Sequence, residues 1–352
     1  MSGAEIGSTK LAVRHNDLLI CKINPRINRV WLVSGHASES QHLASPEWIV
    51  FRSDERASST WLRYFVSSPA ARRWLESQVS GVTGSHTRVK ADHVLRLTVP
   101  VPPLDEQHRM VAVLEDHLSR LDAADAYLAA SEDRVTRWAR RAADHALESG
   151  RTGSGRLADL VDRVEAGRSF GGASPPAGED GWGVVRVSAM TWGEFRPEEN
   201  KAVPGKLVDQ RWEIHEGDVL VSRANTTDYV GAPVLVGHTR PRLLLSDKSL
   251  RLVPREGVDR RWLVQVLASQ AVRRQVSALA SGTKDSMRNI SQAKLLSVQV
   301  PTTSSEQQSA VAEVAHQAHQ DAQRLRHSLS ATRDRSAALR RSLLTAAFSG
   351  RL

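Results

Sequence analysis

Cysteine is nearly absent: Cys21 stands alone among 352 residues. No internal disulfide can form, a multi-thiolate zinc site has no ligands, and a reducing compartment such as the cytoplasm fits. Aromatic residues make up only 5%, although nine of them are Trp. No apolar run approaches the roughly 18 residues that mark a membrane-spanning helix, so no membrane partner is expected. Nucleotide-cradling motifs are missing as well. There is no Gly-x-Gly-x-x-Gly, no P-loop, and no Asn/Asp-Pro-Pro-aromatic run of the kind amino-methyltransferases use. The nearest approach to a nuclease pattern is Asp180 with Glu199-Asn200-Lys201; in a chain that is 25% charged it reads as a solvated loop. His316 and His319 stand three apart with no cysteine or third histidine beside them, which reads as a helix face rather than a metal site. No catalytic residue, metal ligand or bound cofactor is therefore expected on this chain.

Positive charge is what the chain has in excess. Lys and Arg number 48 against 39 acids, a net charge of +9, and 40 of the 48 cations are Arg. A polyanion is the natural partner, nucleic acid first. The length suits two or three domains, and 40% hydrophobic residues suffice for real cores.

Self-comparison gives the organisation. Arg140-Arg141 returns as Arg340-Arg341, Ser149-Gly150-Arg151 as Ser349-Gly350-Arg351, and Glu106-Gln107 as Glu306-Gln307, all at a lag of 200. Upstream the lag is 201: Trp61-Leu62 matches Trp262-Leu263, Ser80-Gly81 matches Ser281-Gly282, and Asp17, Leu19 and Asn24 match Asp218, Leu220 and Asn225. A loop indel near 82–85 would account for the step. The chain reads as a tandem duplication of one unit, a globule followed by a helix. Leu157 to Lys201, about 45 residues, find no counterpart in the first copy, which is expected to be truncated at its front.

Each copy opens its shared part with an apolar, β-rich strand, residues 18–23 and 219–223. A second strand follows at 48–51 and 250–253, then an amphipathic helix at about 59–79 and 260–280 with Arg72-Arg73 or Arg273-Arg274 outward as surface charge. Val184-Val185-Arg186-Val187 reads as a further strand of copy two. The mixture argues an α/β (α+β) globule.

Each globule then runs through prolines into one long helix, 105–148 and 305–348, about 66 Å for the first at 1.5 Å per residue. With Val111 as a, the first helix has an apolar d row, while Asp125 and Glu132 interrupt the a row. Its pairing residues are expected to be Val111, Leu114, Leu118, Leu121, Leu128 and Val135. Those of the second are Val311, Val314, Leu325, Leu329, Leu339 and Leu343, with a phase shift near 321–325. Both helices end in Ser-Gly-Arg, with Gly as the stop. The second seam is the weaker, and the two apolar stripes in a two-fold repeat are expected to pair as an antiparallel coiled coil.

Pro102-Pro103-Leu104-Asp105-Glu106-Gln107 before a heptad helix, and the closing Ala346-Ala347-Phe348-Ser349-Gly350-Arg351-Leu352, resemble the specificity subunit of Type I restriction–modification systems. So do Lys22-Ile23-Asn24-Pro25-Arg26-Ile27-Asn28-Arg29 and Gly217-Asp218-Val219-Leu220-Val221-Ser222-Arg223. The resemblance covers nearly the whole chain. It implies a first target-recognition domain at 1–100, a long helix at 101–151, a second recognition domain at 152–300 and a second helix at 301–352. It implies that the two domains read the halves of a split target in double-stranded DNA. Two methyltransferase subunits and a motor-nuclease subunit would be partners, with S-adenosylmethionine, Mg and ATP bound on those partners only. Copy two departs from the pattern: Pro301-Thr302-Thr303-Ser304-Ser305 replaces Pro-Pro-Leu before its Glu306-Gln307. A non-catalytic coiled-coil scaffold, or a recognition subunit of another defence or modification system, is the alternative.

Cations that recur at matched places are the candidates for DNA contact. Lys22, Asn24, Arg26 and Arg29 in copy one, and Arg223 and Asn225 in copy two, suit base reading, since Arg bridges guanine and Asn pairs with adenine. Arg88, Lys90, Lys284 and Arg288 suit phosphates, and Arg186 is a further strand candidate.

Overall fold

The two repeats begin their sheets at one kind of turn. Asn16 (φ 67°) and Gly217 (φ 87°) both occupy the left-handed region, which Gly and Asn enter at least cost. The next residue, Asp17 or Asp218, accepts from the backbone N–H of Arg14 (2.9 Å) or His215 (3.0 Å) and so closes the turn. The computed structural model describes residues 7–34, 42–52, 55–79, 87–172, 174–191, 193–282, 285 and 287–351. Two compact units form: Met1–Glu132 with His327–Leu352, and Asp133–Arg326.

Unit 1 contains β1 (Leu11–Val13), β2 (Leu18–Cys21), β3 (Val30–Leu32), β4 (His42–Ala44), β5 (Trp48–Phe51), α1 (Ser59–Ser67), α2 (Pro69–Ser77) and α3 (Ala91–Val94). The long helix α4 (Leu104–Ser149) starts here and ends in unit 2. Strands β3-β2-β5 make one antiparallel sheet, and β1 pairs with β4. Leu18, Ile20 and Ile49 on the sheet pack against Trp61, Phe65 and Leu75 on the helices.

Unit 2 contains β6 (Gly153–Arg156), β7 (Val161–Ala166), β8 (Gly183–Val185), β9 (Asn200–Ala202), β10 (Val219–Ser222), β11 (Ala224–Asn225), β12 (Pro233–Leu235), β13 (Leu243–Leu244) and β14 (Ser249–Pro254). Then follow α5 (Arg260–Ala268), α6 (Gln270–Leu279), β15 (Arg288–Asn289), α7 (Gln292–Leu296), β16 (Gln299–Thr302) and α8 (Ser305–Ala347), which returns to unit 1. Its main sheet runs β12-β10-β14-β7. Leu19↔Val50 in unit 1 and Leu220↔Arg251 in unit 2 are pairs of the same register, 201 residues apart.

The single helices expected at 59–79 and 260–280 are each broken in two. Ser68 (ψ 153°) and Ser269 (ψ 147°) are extended, so the chain restarts at Pro69 and Gln270. Ser68 caps the restart by accepting from Ala71 N–H, and Pro69 suits a first helical position because it has no N–H to leave unpaired.

A buried glutamine ties each globule to its long helix. Gln107 is 0% exposed; it accepts from the backbone N–H of Ser58 (2.8 Å) and donates to the carbonyls of Arg56 (2.8 Å) and Pro102 (2.7 Å). Gln308 accepts from Asp259 N–H (2.8 Å) and donates to Thr303 (3.4 Å). Ser58 and Asp259 are the caps of α1 and α5, so Gln107 answers to Gln308 rather than to Gln307. The lag of 201 thus extends into the long helices, and the step to 200 lies within them instead of in the loop at 82–85.

The long helices pair antiparallel. In unit 1, Leu114 and Leu118 near the start of α4 pack with Leu344 and Ala347 near the end of α8. In unit 2, Leu147 near the end of α4 packs with Val311 and Ala312 near the start of α8. Leu121, Val111 and Leu343 are partly buried and Leu128 is buried; Val135 and Leu329 are partly buried too. Three expected pairing residues are not in the seam. Val314, Leu325 and Leu339 are 54%, 48% and 51% exposed. The buried line of α8 uses small side chains instead, Ala315, Ala318, Ala322 and Ser336, which let the backbones approach. Beside it Arg326, Arg333 and Arg340 recur every seven residues. Arg340 reaches Asp122 (2.5 Å) and Asp125 (3.5 Å), Arg333 reaches Glu132 (3.1 Å), and Arg326 donates to Thr136 (3.2 Å). The two acids that interrupt the a row are thus matched by arginines. Among the described residues no helix is long and apolar enough to cross a membrane.

Candidate nucleic-acid interface

The end of the first shared strand is built the same way in both units. Ile23 bridges Arg88, and the equivalent residues Ala224 and Asn289 open the β11–β15 pair. Val89 N–H donates to Lys22 carbonyl (3.0 Å), and Ile290 N–H to Arg223 carbonyl (3.0 Å). Lys22 N–H donates to Glu47 carbonyl (2.8 Å), and Arg223 N–H to Lys248 carbonyl (2.8 Å). Even the side chains agree: Lys22 Nζ donates to Pro46 carbonyl (2.6 Å) and Arg223 Nη1 to the equivalent Asp247 carbonyl (3.5 Å). The recurrence of this cation therefore has a folding cause, since it steadies the turn before β5 or β14.

The remaining candidates divide by whether their polar groups are engaged. Asn24 N–H donates to Thr87 carbonyl (2.9 Å), and Thr87 hydroxyl donates to Asn24 Oδ1 (3.5 Å). Asn24 (φ 51°) and Asn28 (φ 49°) are both left-handed and bracket a short 3-10 turn, Pro25–Ile27. The turn holds Arg26 outward; Arg26 and Arg29 are exposed and have no side-chain partner among the described residues. Lys90 is likewise exposed, at the cap of α3. Arg88 pairs with Glu47 (3.0 Å). In unit 2, Asn225 donates to Ser222 Oγ (3.3 Å) and accepts from Thr226 N–H (2.8 Å), closing a local turn. Arg288 donates to the carbonyls of Ala280 (2.6 Å) and Gly282 (3.0 Å), so its guanidinium closes the end of α6. Arg186 is not on a strand, because β8 stops at Val185; it is exposed and donates to Ser174 carbonyl (2.9 Å). Lys284 lies outside the described residues.

Two cations at this place escaped the sequence reading. Lys248 is exposed on the turn held by Arg223, and Arg168 is exposed where its backbone bridges Ser246. Neither has a side-chain partner among the described residues. Gly167 makes the approach possible: a Cβ there would lie 1.9 Å from Leu245 carbonyl oxygen. Arg168, Arg223 and Lys248 thus gather on one turn of unit 2. In unit 1 the equivalent turn has Glu47 in place of Lys248, and Arg88 neutralises it. Arg273 is not a plain surface charge either: it is partly buried, donates to Asp228 carbonyl (2.9 Å), and burial lowers its pKa. Its counterpart Arg72 stays exposed and pairs with Glu76 (3.0 Å).

The chain thus holds two repeated α/β units, each with a strand-end turn flanked by exposed cations, and two long helices that pack on each other within each unit. The chain resembles the specificity subunits of Type I restriction–modification systems in sequence and in fold. It is 33% identical over 148 residues to the Type I restriction enzyme EcoEI specificity subunit of Escherichia coli, a match that takes in 41% of this chain and 25% of that protein. The matched stretch therefore spans about a quarter of that relative's length. The whole chain aligns with 86% of a chain solved in work on complex assembly and conformational transition of the type I R-M system, with a TM-score of 0.77 and 20% identity. It also aligns with 85% of the HsdS subunit from Thermoanaerobacter tengcongensis, with a TM-score of 0.52 and 19% identity. No family model matches the chain.

Proposed function

We propose that this protein is the DNA-reading specificity subunit of a Type I restriction–modification complex, and that it recognises a bipartite target. The observation that carries the reading is the doubled strand-end turn, matched bond for bond in the two units, with exposed cations beside each. One chain with two copies of one reading surface suits a target in two halves. The chain itself performs no reaction. Two methyltransferase subunits dock on it, modify adenine with S-adenosylmethionine bound on their own chains, and a motor-nuclease subunit with Mg and ATP completes the complex.

The candidate side chains fall into two groups. Arg26 and Arg29 in unit 1, and Arg168 and Lys248 in unit 2, are exposed with no side-chain partner among the described residues, and they grip phosphates. Arg223 and Asn225, which in the free chain hold local turns, turn to base edges in the complex. Affinity for matched and scrambled duplexes across salt concentrations tests the division. Arg168→Ala or Lys248→Ala weakens both duplexes alike and lowers the salt slope by about one unit each. Arg223→Ala costs about 1–3 kcal/mol on the matched duplex and little on the scrambled one. If none of these substitutions alters DNA affinity at any salt concentration, the chain is a protein scaffold and the DNA reading is wrong.

A further inference from the structure

A second loop stands beside the cation turn of unit 2. Val221↔Pro233 and Ser222↔Ser249 pair the end of β10 with the starts of β12 and β14, so the loop 226–232 and the turn 246–248 flank one strand end. The matching loop of unit 1 is shorter. Cys21 N–H donates to Arg29 carbonyl and Ser222 N–H to Ala232 carbonyl, both at 3.0 Å. Left-handed Asn28 (φ 49°) is therefore the counterpart of Gly231 (φ 73°). Three residues separate Asn24 from Asn28, and five separate Asn225 from Gly231.

The longer loop is held by its main chain. Val230 is 0% exposed and packs with Val272 and Val276 of α6. Gly231 lies so near α6 that a Cβ there would stand 2.3 Å from Val276 Cγ1. Arg273 donates to Asp228 carbonyl (2.9 Å), Ser277 hydroxyl to Thr227 carbonyl (3.4 Å), and Thr227 N–H to Asp285 carbonyl (3.2 Å). Each of these bonds takes a main-chain group of the loop. The side chains of Asp228 and Tyr229 are left exposed, with no side-chain partner among the described residues.

Arg273 is a costly anchor for a loop. Its Nη1 is buried without a hydrogen-bond partner, and a buried donor left unpaired is unfavourable. Burial pushes its pKa down, and the Asp228 carboxylate pushes it up, so the two charges feel each other. A carboxylate at a DNA surface is repelled by phosphates, and a cation buried behind it offsets that repulsion. The base-edge groups that suit a carboxylate are amino groups, cytosine N4 first.

We propose that Asp228 is a further base-reading side chain of unit 2, accepting from the amino group of a cytosine, and that Arg273 is the positioning residue that fixes it from behind. The inference rests on the DNA reading proposed above and adds to it one residue, one base edge and the unit that reads it.

The experiment offers the full chain a pool of random-sequence DNA duplexes and sequences those retained. The unaltered chain enriches one split motif. Asp228→Ala lowers the preference at one cytosine position, in one half of the motif, by about tenfold or more and leaves the other half intact. Its affinity for duplexes outside the motif is unchanged or higher, the reverse of Lys248→Ala, because an acid has left the surface. Arg273→Met relaxes the same position, while Arg273→Lys, which can still donate to the Asp228 carbonyl, retains it; a merely structural role would weaken all duplexes alike. Asp228 is exposed, so its variant decides the matter even if Arg273→Met unfolds. A motif selected as stringently by Asp228→Ala as by the unaltered chain overturns this inference and leaves the DNA reading standing, as does relaxation spread over both halves. No motif from the unaltered chain overturns the DNA reading itself, and this inference with it.

Discussion

Arg251 and Val50 occupy the same register position in the two units, and they show how differently one sheet can be finished. Arg251 is 7% exposed and is held by Glu165 (2.7 Å), Asp218 (2.8 Å) and the carbonyls of Glu213 (2.8 Å) and Arg211 (2.7 Å). Val50 is partly exposed on a strand with one neighbour among the described residues. A charge can be buried in unit 2 because β7 brings Glu165 to meet it. In unit 1, among the described residues, no strand brings a carboxylate to that position, and Val50 fills it.

The largest expected effect comes from breaking this network. Arg251→Ala leaves Asp218 without its charged partner, while Glu165 keeps only Arg163, and lowers the stability of unit 2 by about 3–5 kcal/mol. Val50→Ala lowers that of unit 1 by about 1 kcal/mol. Denaturant titration, with exchange of β2 and β10 amides to assign the loss, separates the two. Equal losses would mean that the network adds nothing to the sheet.

The glutamine clamps sharpen the comparison from the other side, because here the units agree. Gln107→Ala and Gln308→Ala each orphan a helix-capping N–H and are expected to cost about 1–3 kcal/mol apiece in the same titration. A large loss at Gln107 with none at Gln308 would undo the equivalence at lag 201.

Acid should also tell the units apart. Burial pushes the Glu165 carboxyl up, but hydrogen bonds from Arg163 and Arg251 outweigh it, and its pKa lies below the ordinary value. A carboxylate depressed in the folded state stabilises above its unfolded pKa and loses that contribution as pH falls through the folded one. Unit 2 is therefore expected to lose stability below about pH 4.5, and Glu165→Gln should remove that part of the loss. Among the described residues unit 1 has no counterpart of Glu165, and Val50, which matches its partner Arg251, does not titrate. Midpoints of denaturation between pH 3 and pH 6, about that range, check it; an unchanged acid profile in Glu165→Gln would contradict the assignment.

The smallest effects concern α8. Leu325→Ala and Leu339→Ala touch the exposed face and should change stability by no more than about 0.5 kcal/mol. Ala322→Leu overfills a seam position that is 0% exposed and should cost about 1–3 kcal/mol. Circular dichroism melts rank the three; the opposite order would restore the leucines to the seam.

That last contrast shows where the sequence is readable. The strands expected at 18–23 and 48–51, and both long helices, follow from local alternation and periodicity, and the structure places their ends within a residue or two. The seam of α8 does not follow, because alanine gives a weak apolar signal and the larger leucines sit outside. The breaks at Ser68 and Ser269 depend on caps rather than on periodicity. At the interface, recurrence selected Lys22 and Arg223, whose shared carbonyl bond is a reason of folding. Recurrence was blind to Lys248, which faces Glu47 in the other copy, and to Arg168, which lies in the stretch without a counterpart. Only the bridge between Arg168 and Ser246 brings that cation to the turn.

If the proposed function is right, this chain directs adenine methylation by partner subunits. Methylome sequencing of cells that hold the partner methyltransferase, with and without this chain, measures it directly. Methylation of one split motif is expected to appear only with the chain, and Arg168→Ala with Lys248→Ala is expected to reduce it. Methylation that persists at the same sites without the chain would contradict it.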